Sequence, residues 1–236
     1  MTEDKSKSID LPALDWIDGT IPFSPRFADT YYSKAGGLAE AEYVFIAGNG
    51  LPARWPAVPE CTIAELGFGT GLNFLATMRH WRDLAPPGAT LRYVSFEHLP
   101  LSPADMAKAL SRWPELADVA NRLASLWRPE FEILQVAFAD KVELIVFMGD
   151  ANIRLPQLEL KADAWYLDGF APSRNPELWS ATLMAEVFAH TGPGGTFATY
   201  TAAGQVRRDL RAAGFVVERR PGFAGKREML AGKRPA

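Results

Sequence analysis

The chain has 236 residues, of which 48% are hydrophobic and 22% charged, a balance that excludes disordered and fibrous proteins and allows one large domain. A net charge of −3 does not mark a general nucleic-acid binder, a single cysteine (Cys61) excludes an internal disulfide framework, and the longest apolar runs, such as LIVFM at 144–148, are too short to cross a bilayer. The polar start, MTEDKSKSID, lacks the apolar core of a secretory signal, and together with the lone thiol it predicts a cytoplasmic protein with no membrane association.

In chain order, residues 1–20 read as a loose lead-in. PFSPRFADTYYS then leads to a Gly-Gly turn and to GLAEAEYVFI, which mixes turn chemistry with one strand, and the proline-rich PARWPAVPE over 52–60 marks a boundary. Regular patterning follows. A strand at Thr62–Leu66 opens into GFGTG, and helical spacing of Leu72, Leu75, Ala76 and Met78 continues to Trp81. A second strand, Leu91–Phe96, ends at Glu97. Ser102 caps a helix over Pro103–Trp113, where proline suits the first turn, and a further helix spans Glu115–Trp127. Phe131–Ala137 and Lys141–Met148 alternate as a hairpin turning at Phe138–Asp140, just before Gly149-Asp150. Ala164–Leu167 is a strand, Pro176–Thr191 a helix, Gly195–Thr201 a strand and Gly204–Ala213 a helix. Phe215–Glu218 and Glu228–Leu230 close the sheet as a final pair. Strands alternating with helices predict a three-layer α/β domain with a mainly parallel sheet, whose ligands bind at the carboxyl ends of the strands, beside the switch in strand order.

Glu65-Leu-Gly67-Phe-Gly69-Thr-Gly71 is the most informative local motif. Its spacing is G-x-G-x-G rather than the dinucleotide G-x-G-x-x-G, and no Lys-Ser/Thr follows to make a phosphate loop. A carboxylate two residues before the first glycine repels a pyrophosphate but suits an ammonium or sulfonium group, which points to S-adenosylmethionine over a nicotinamide dinucleotide. Glu97, at the end of the second strand, is placed to accept hydrogen bonds from both ribose hydroxyls. Asp150, after the next strand unit, is placed to accept one from the adenine amino group, with Phe96 and Ala151 as apolar walls. Each acid taken singly also reads as a helix cap. Three acids at three consecutive strand ends after a glycine loop predict a class I S-adenosylmethionine-binding site.

WYLDGFAPSRNPELWS places Asp168-Gly-Phe170-Ala-Pro172 after the fourth core strand, where methyltransferases of this class reach their acceptor. Methyl transfer to an alkylamine needs the neutral lone pair, whereas the free amine is mostly protonated near neutral pH. A carboxylate there serves as proton acceptor, directly or through water, and Phe170 stacks on a base or packs the methyl path. The alternative for Asp168 is a strand-terminal turn with a packing phenylalanine. His80, His98 and His190 lack ligand spacing, so no metal site is expected, and no nucleophile motif is present. From Gly204 to Ala236, nine Lys/Arg stand against three acids, a net +6 that leaves −9 on the first 203 residues. This asymmetry predicts either one basic face suited to phosphates or a solvated surface helix and tail.

ELGFGTGLNF, SFEHLPL, WPEL, GDA, AWYLDGFAPSRNPELW, GGTFATYTAAGQVRRDL and GFAGKREML together closely resemble, from Pro22-Phe23-Ser24 to Leu230, the methyltransferase domain of the bacterial tRNA-modifying MnmC family. The resemblance implies S-adenosylmethionine-dependent methylation of the aminomethyl group of 5-aminomethyl-2-thiouridine at the tRNA wobble position. It implies Glu65, Gly67, Gly69, Gly71 and Asn73 in the cofactor loop, Glu97 at the ribose, Asp150 near adenine and Asp168 as proton acceptor. Arg207, Arg208, Lys226 and Arg227 are expected to face tRNA phosphates. Phe23 and Tyr31 belong to an N-terminal extension, residues 1–59, expected to lie over the active-site mouth of a methyltransferase domain at 60–236. Many family members carry an FAD-dependent oxidase domain as well. The absence of a second glycine-rich nucleotide motif here implies a stand-alone methyltransferase, supplied with aminomethyl-uridine by a separate oxidase or another route, or a truncated fusion. Two other readings remain: a methyltransferase for a small-molecule amine, which needs no basic tail, and a non-catalytic RNA-binding module with a relic cofactor site.

Overall fold

The computed structural model describes residues 11–139 and 141–236; the first half of the expected lead-in and Asp140, in the expected hairpin turn, lie outside the described residues. Asp15–Ile17 (β1), Ile21–Ser24 (β2) and Asp29–Thr30 (β3) form a small antiparallel sheet, so the lead-in is not uniformly loose. Asp18 and Gly19 both take positive φ, 50° and 75°, in the β1–β2 turn. This is the left-handed geometry that an Asp-Gly pair tolerates and that matches the twist of a tight hairpin.

GLAEAEYVFI holds no strand. Gly37–Glu40 (α1) passes directly into a π-helical stretch, Ala41–Ala47, because Leu38, Ala41, Val44 and Phe45 are buried together at helical spacing. The aromatic and β-branched composition of YVFI favours a strand, and packing overrules it. Leu51–Arg54 (α2) and the turn Trp55–Ala57 occupy the proline-rich boundary, with Trp55 fully buried and meeting Trp81 edge-on at 5.6 Å.

Among the described residues the main sheet contains Glu60–Leu66 (β4), Thr90–Glu97 (β5), Ile133–Phe138 (β6), Val142–Met148 (β7), Ala162–Leu167 (β8), Thr191–Thr199 (β9), Val216–Arg220 (β10) and Met229–Lys233 (β11). Their order is β10-β11-β9-β8-β4-β5-β7-β6. β4 runs parallel to β5 and β8, β5 to β7, and β8 to β9, while the β6–β7 hairpin and the closing strands β10 and β11 are antiparallel. Leu72–Leu84 (α3), Pro103–Leu110 (α4), Ala117–Leu126 (α5), Ala151–Arg154 (α6), Ala181–Ala189 (α7) and Gly204–Ala213 (α8) connect the strands.

The expected three-layer α/β fold with a mainly parallel sheet is borne out. Three expected helices are shorter: Pro103–Trp113 ends at Leu110, Glu115–Trp127 narrows to Ala117–Leu126, and Pro176–Thr191 opens as a 3-10 turn at Pro176–Trp179 before Ser180, in an extended conformation, caps α7 by accepting the Leu183 N–H. Side chains alternate along the strands, so Ile63 and Tyr166 pack toward α3, α4 and α5, while Ala64 and Trp165 pack toward α6, α7 and α8. The chain leaves β4 for β5 on one side and reaches β8, on the other side, only after β7. The switch in strand order therefore lies between β4 and β8, and there the Asp168 N–H donates to the Leu66 carbonyl.

Candidate active site

The glycine loop leaves β4 at this switch. Gly67 and Gly69 are left-handed, with φ of 78° and 54°, and a β-carbon on Gly67 would lie 3.1 Å from the Asp168 carbonyl oxygen. The Gly67 and Phe68 N–H groups both donate to the Phe96 carbonyl, tying the loop to the end of β5. Phe68 is buried and stacks on Trp127 with centroids 5.1 Å apart, which anchors the loop from behind. Gly71 precedes α3 and does not line the cavity; its φ of 80° is left-handed and a β-carbon there would press on Leu123 at 2.7 Å, so backbone conformation and close packing account for it.

One cavity runs along the strand ends and is walled by Gly67, Gly69, Asn73, Glu97, Asp150 and Asp168. Glu97 accepts the Gly69 N–H at 2.6 Å through Oε2 and the Leu99 N–H at 2.8 Å through Oε1. Burial raises its proton affinity, and these donors oppose the rise. Asp150 caps α6 through Oδ1, which accepts the Asn152 backbone and side-chain N–H groups at 2.8 and 2.9 Å. The capping reading and the cavity-wall reading of this acid therefore hold together. Glu65 is not in the wall. It is fully buried behind Asn73, accepting from the Asn73 amide at 2.9 Å and the Ser95 hydroxyl at 2.7 Å, and burial holds its pKa well above the usual range.

Asp168 ends β8 inside the cavity. Its Oδ1 accepts the Gly169 N–H at 2.8 Å and its Oδ2 accepts from the Asn73 amide at 2.8 Å. Burial pushes its pKa up to about 7 against those two donors; Glu40 adds to the rise and Lys226 opposes it. A carboxyl so poised exchanges protons at neutral pH.

The second wall comes from the N-terminal segment. Phe170 stacks on Phe27 at 4.5 Å and meets the edge of Tyr31 at 5.0 Å. Asp29 accepts the Ala171 N–H at 3.1 Å, and Arg174 donates to the Phe27 carbonyl at 3.3 Å. Tyr31 and Phe170 thus line the cavity as placed by sequence, whereas Phe23 does not: it pairs with Asp15 and Thr30 in the small sheet. Phe27, Asp29, Glu40 and Tyr200 are cavity residues that the sequence reading missed.

Lys226, expected to face phosphate, sits in the cavity wall, 4.8 Å over the Tyr200 ring and 2.6 Å from Glu40, with its side chain still partly open to solvent. The Tyr200 hydroxyl donates to the Gly169 carbonyl at 2.7 Å. Arg207, Arg208 and Arg227 lie outside the cavity; Arg208 and Arg227 are exposed, and Arg207 is partly buried with its Nε lacking a partner. Among the described residues no group of three or more His, Cys, Asp or Glu side chains is placed to hold a metal ion, and no helix is long and apolar enough to cross a membrane.

S-adenosylmethionine fits this donor set. The loop offers close backbone approach at Gly67 and Gly69, where no side chain intervenes. Each Glu97 oxygen retains a lone pair for a vicinal diol, Asp150 keeps Oδ2 for an amino group, and Phe96 and Ala151 supply apolar wall for a purine.

Residues 114–235 match the family of S-adenosyl-L-methionine-dependent methyltransferases. The tRNA 5-methylaminomethyl-2-thiouridine biosynthesis bifunctional protein MnmC of Aromatoleum aromaticum is 47% identical over 228 residues, covering 95% of this chain and 36% of that protein. The MnmC protein of Ectopseudomonas mendocina is 46% identical over 225 residues, covering 93% of this chain and 34% of that protein. The resemblance read from the motifs is thus borne out along nearly the whole chain, which spans about a third of the length of these curated relatives. The crystal structure of MNMC2 from Aquifex aeolicus shares the fold, with a TM-score of 0.75 at 22% identity over 96% of this chain and 73% of that one.

Proposed function

We propose that this chain, which belongs to the S-adenosyl-L-methionine-dependent methyltransferase family, methylates the aminomethyl group of 5-aminomethyl-2-thiouridine at the wobble position of tRNA, giving the 5-methylaminomethyl form. The observation that carries the amine reading is Asp168, a carboxyl of pKa about 7 facing a cavity beside the glycine loop. The relatives' role in 5-methylaminomethyl-2-thiouridine biosynthesis supports the nucleoside.

When bound, the cofactor supplies an electrophilic sulfonium methyl group. The Gly67–Gly69 backbone, Glu97 and Asp150 would hold it. The acceptor arrives largely as an alkylammonium, and Asp168 takes a proton from its nitrogen to leave the lone pair free. Phe170, buttressed by Phe27 and Tyr31, excludes water from one side of that nitrogen and offers an aromatic face to the uracil ring. Arg207, Arg208 and Arg227 provide phosphate contacts, and a protein of net charge −3 can bind RNA through such a local patch. The aminomethyl group is supplied by a preceding oxidase, which we assign to the FAD-dependent class, consistent with the relatives' description as bifunctional.

The test is transfer of label from S-adenosylmethionine to tRNA carrying or lacking aminomethyl-uridine. Label confined to the first tRNA supports the proposal. Equal label in both, or transfer only to a free amine, replaces it with another acceptor.

A further inference from the structure

We propose that Asn73 is a positioning residue, whose side-chain amide bridges Asp168 and Glu65 and fixes the Asp168 carboxylate in the orientation from which it takes the acceptor's proton. The inference rests on the proposed role of Asp168 as proton acceptor and goes beyond it by naming what aims that group.

Asn73 is the second residue of α3, and the glycine loop folds this first turn back over the end of β4. There its Nδ2 lies 2.8 Å from Asp168 Oδ2 and 2.9 Å from Glu65 Oε1. An amide nitrogen carries two hydrogens, and both are used. Rotating the amide by half a turn would set its oxygen against the ionised Asp168 carboxylate, acceptor facing acceptor, so the nitrogen is the atom that faces Asp168. Glu65 is itself held from the far side by the Ser95 hydroxyl at 2.7 Å. The chain Ser95–Glu65–Asn73–Asp168 thus runs from the buried sheet to the cavity surface, with exposure rising from zero at Glu65 to 9% at Asn73. The Gly169 N–H fixes the other Asp168 oxygen, so both are set before any ligand binds.

The resemblance to the MnmC family implies a different role, in which Asn73 holds the cofactor. With both hydrogens engaged, it has none to donate to a ligand carboxylate.

The other charged or titratable groups acting on Asp168 are Glu40 of α1, Lys226 of the β10–β11 loop, Tyr200, and the buried pair Glu65 and Tyr93. Donation from Asn73 favours the ionised carboxylate, so its loss raises the Asp168 titration midpoint. A residue needed only for packing would leave that midpoint in place or, by admitting water beside a carboxyl raised by burial, lower it.

The test uses the full chain with Asn73→Ala and, as a milder variant, Asn73→Ser, whose single hydroxyl hydrogen serves only one carboxylate. The Asp168 carboxyl is titrated in the cofactor-free protein by carbon NMR of labelled aspartate, assigned with Asp168→Asn. Cofactor affinity is measured by calorimetry and turnover against pH on aminomethyl-uridine tRNA. The expected result is an upward move of the titration midpoint and of the acid limb of kcat, larger for Ala than for Ser. Turnover at neutral pH falls at least about tenfold, and cofactor affinity changes less than about threefold. An unmoved midpoint, or affinity lost in step with turnover, overturns the proposal and assigns Asn73 to structure or to the cofactor. Full turnover in Asp168→Asn instead overturns the reading of Asp168 itself, whatever Asn73 does.

Discussion

Lys226 and Glu40 meet at 2.6 Å in the cavity wall, although 186 residues separate them in sequence. Both act on Asp168, the carboxylate raising its proton affinity and the ammonium lowering it. Lys226→Met is therefore expected to move the acid limb of the kcat–pH profile upward, and Glu40→Gln to move it downward. The Lys226 side chain is 45% exposed, so solvent screens the effect and both shifts stay small beside that of Asn73→Ala. Shifts of equal sign in the two variants would contradict the arrangement.

Asp168 must be ionised to accept a proton. With its pKa at about 7 in the ligand-free protein, wild-type kcat/KM is expected to rise with pH through that region and then level off. Asp168→Asn should lower kcat by about 10²- to 10⁴-fold, the range typical of removing a general base, while cofactor affinity measured by calorimetry changes little. Unaltered turnover across the pH range would remove Asp168 from proton transfer.

Gly67→Ala tests the close approach of the two loops. The backbone is left-handed at this position, and the new β-carbon would lie 3.1 Å from the Asp168 carbonyl. A cost of about 1–2 kcal/mol is expected from the conformation alone, lowering Tm by several degrees in a chain of this size. Because the contact falls on Asp168, kcat should drop by more than the stability loss explains. Scanning calorimetry and turnover on the same samples separate the two effects.

Reversing charge at Arg207, Arg208 and Arg227 should weaken tRNA methylation while leaving cofactor affinity intact. Each lost phosphate contact reduces the slope of log K against log salt by about 0.7–0.9. A KM for tRNA that ignores both the substitutions and the salt would place the RNA on another face.

Much of the fold was legible because parallel-sheet strands are short apolar runs ending in punctuation: β4 into the glycine loop, β5 into Glu97, β8 into Asp168. The same punctuation exposed the acids, since a carboxylate directly after a buried run must sit at a strand's end. The β1–β2 hairpin was missed even though Asp18-Gly19 between DWI and IPF carries the turn chemistry, because its strands are too short for alternation to register. YVFI has strand composition, and only the burial of Leu38 and Ala41 upstream turns it helical.

Half of the cavity was illegible for a different reason. Phe27, Asp29 and Glu40 come from segments with no chemical signature of their own, and Tyr200, inside GGTFATYTAAGQVRRDL, has no charge or spacing that singles it out; all four reach the cavity only by tertiary packing. Lys226 counted toward a basic tail because a charge sum cannot reveal a partner in α1. Glu65 was aimed at a ligand because its spacing to the glycines is visible in sequence and its burial behind Asn73 is not.

The bracing of the N-terminal segment against the β8 loop also sets an order of events during folding. Phe27 and Asp29 are synthesised some 140 residues before Phe170 and Ala171, their partners. The Gly69–Glu97 hydrogen bond spans 28 residues and the Phe68–Trp127 stack behind the loop joins two residues that both precede β6, whereas the acceptor side needs a contact spanning more than half the chain. Long-range closures of this kind form late. A partly folded chain would thus possess a cofactor cradle before it possesses an acceptor pocket, and transfer competence would arrive only with the last tertiary contact.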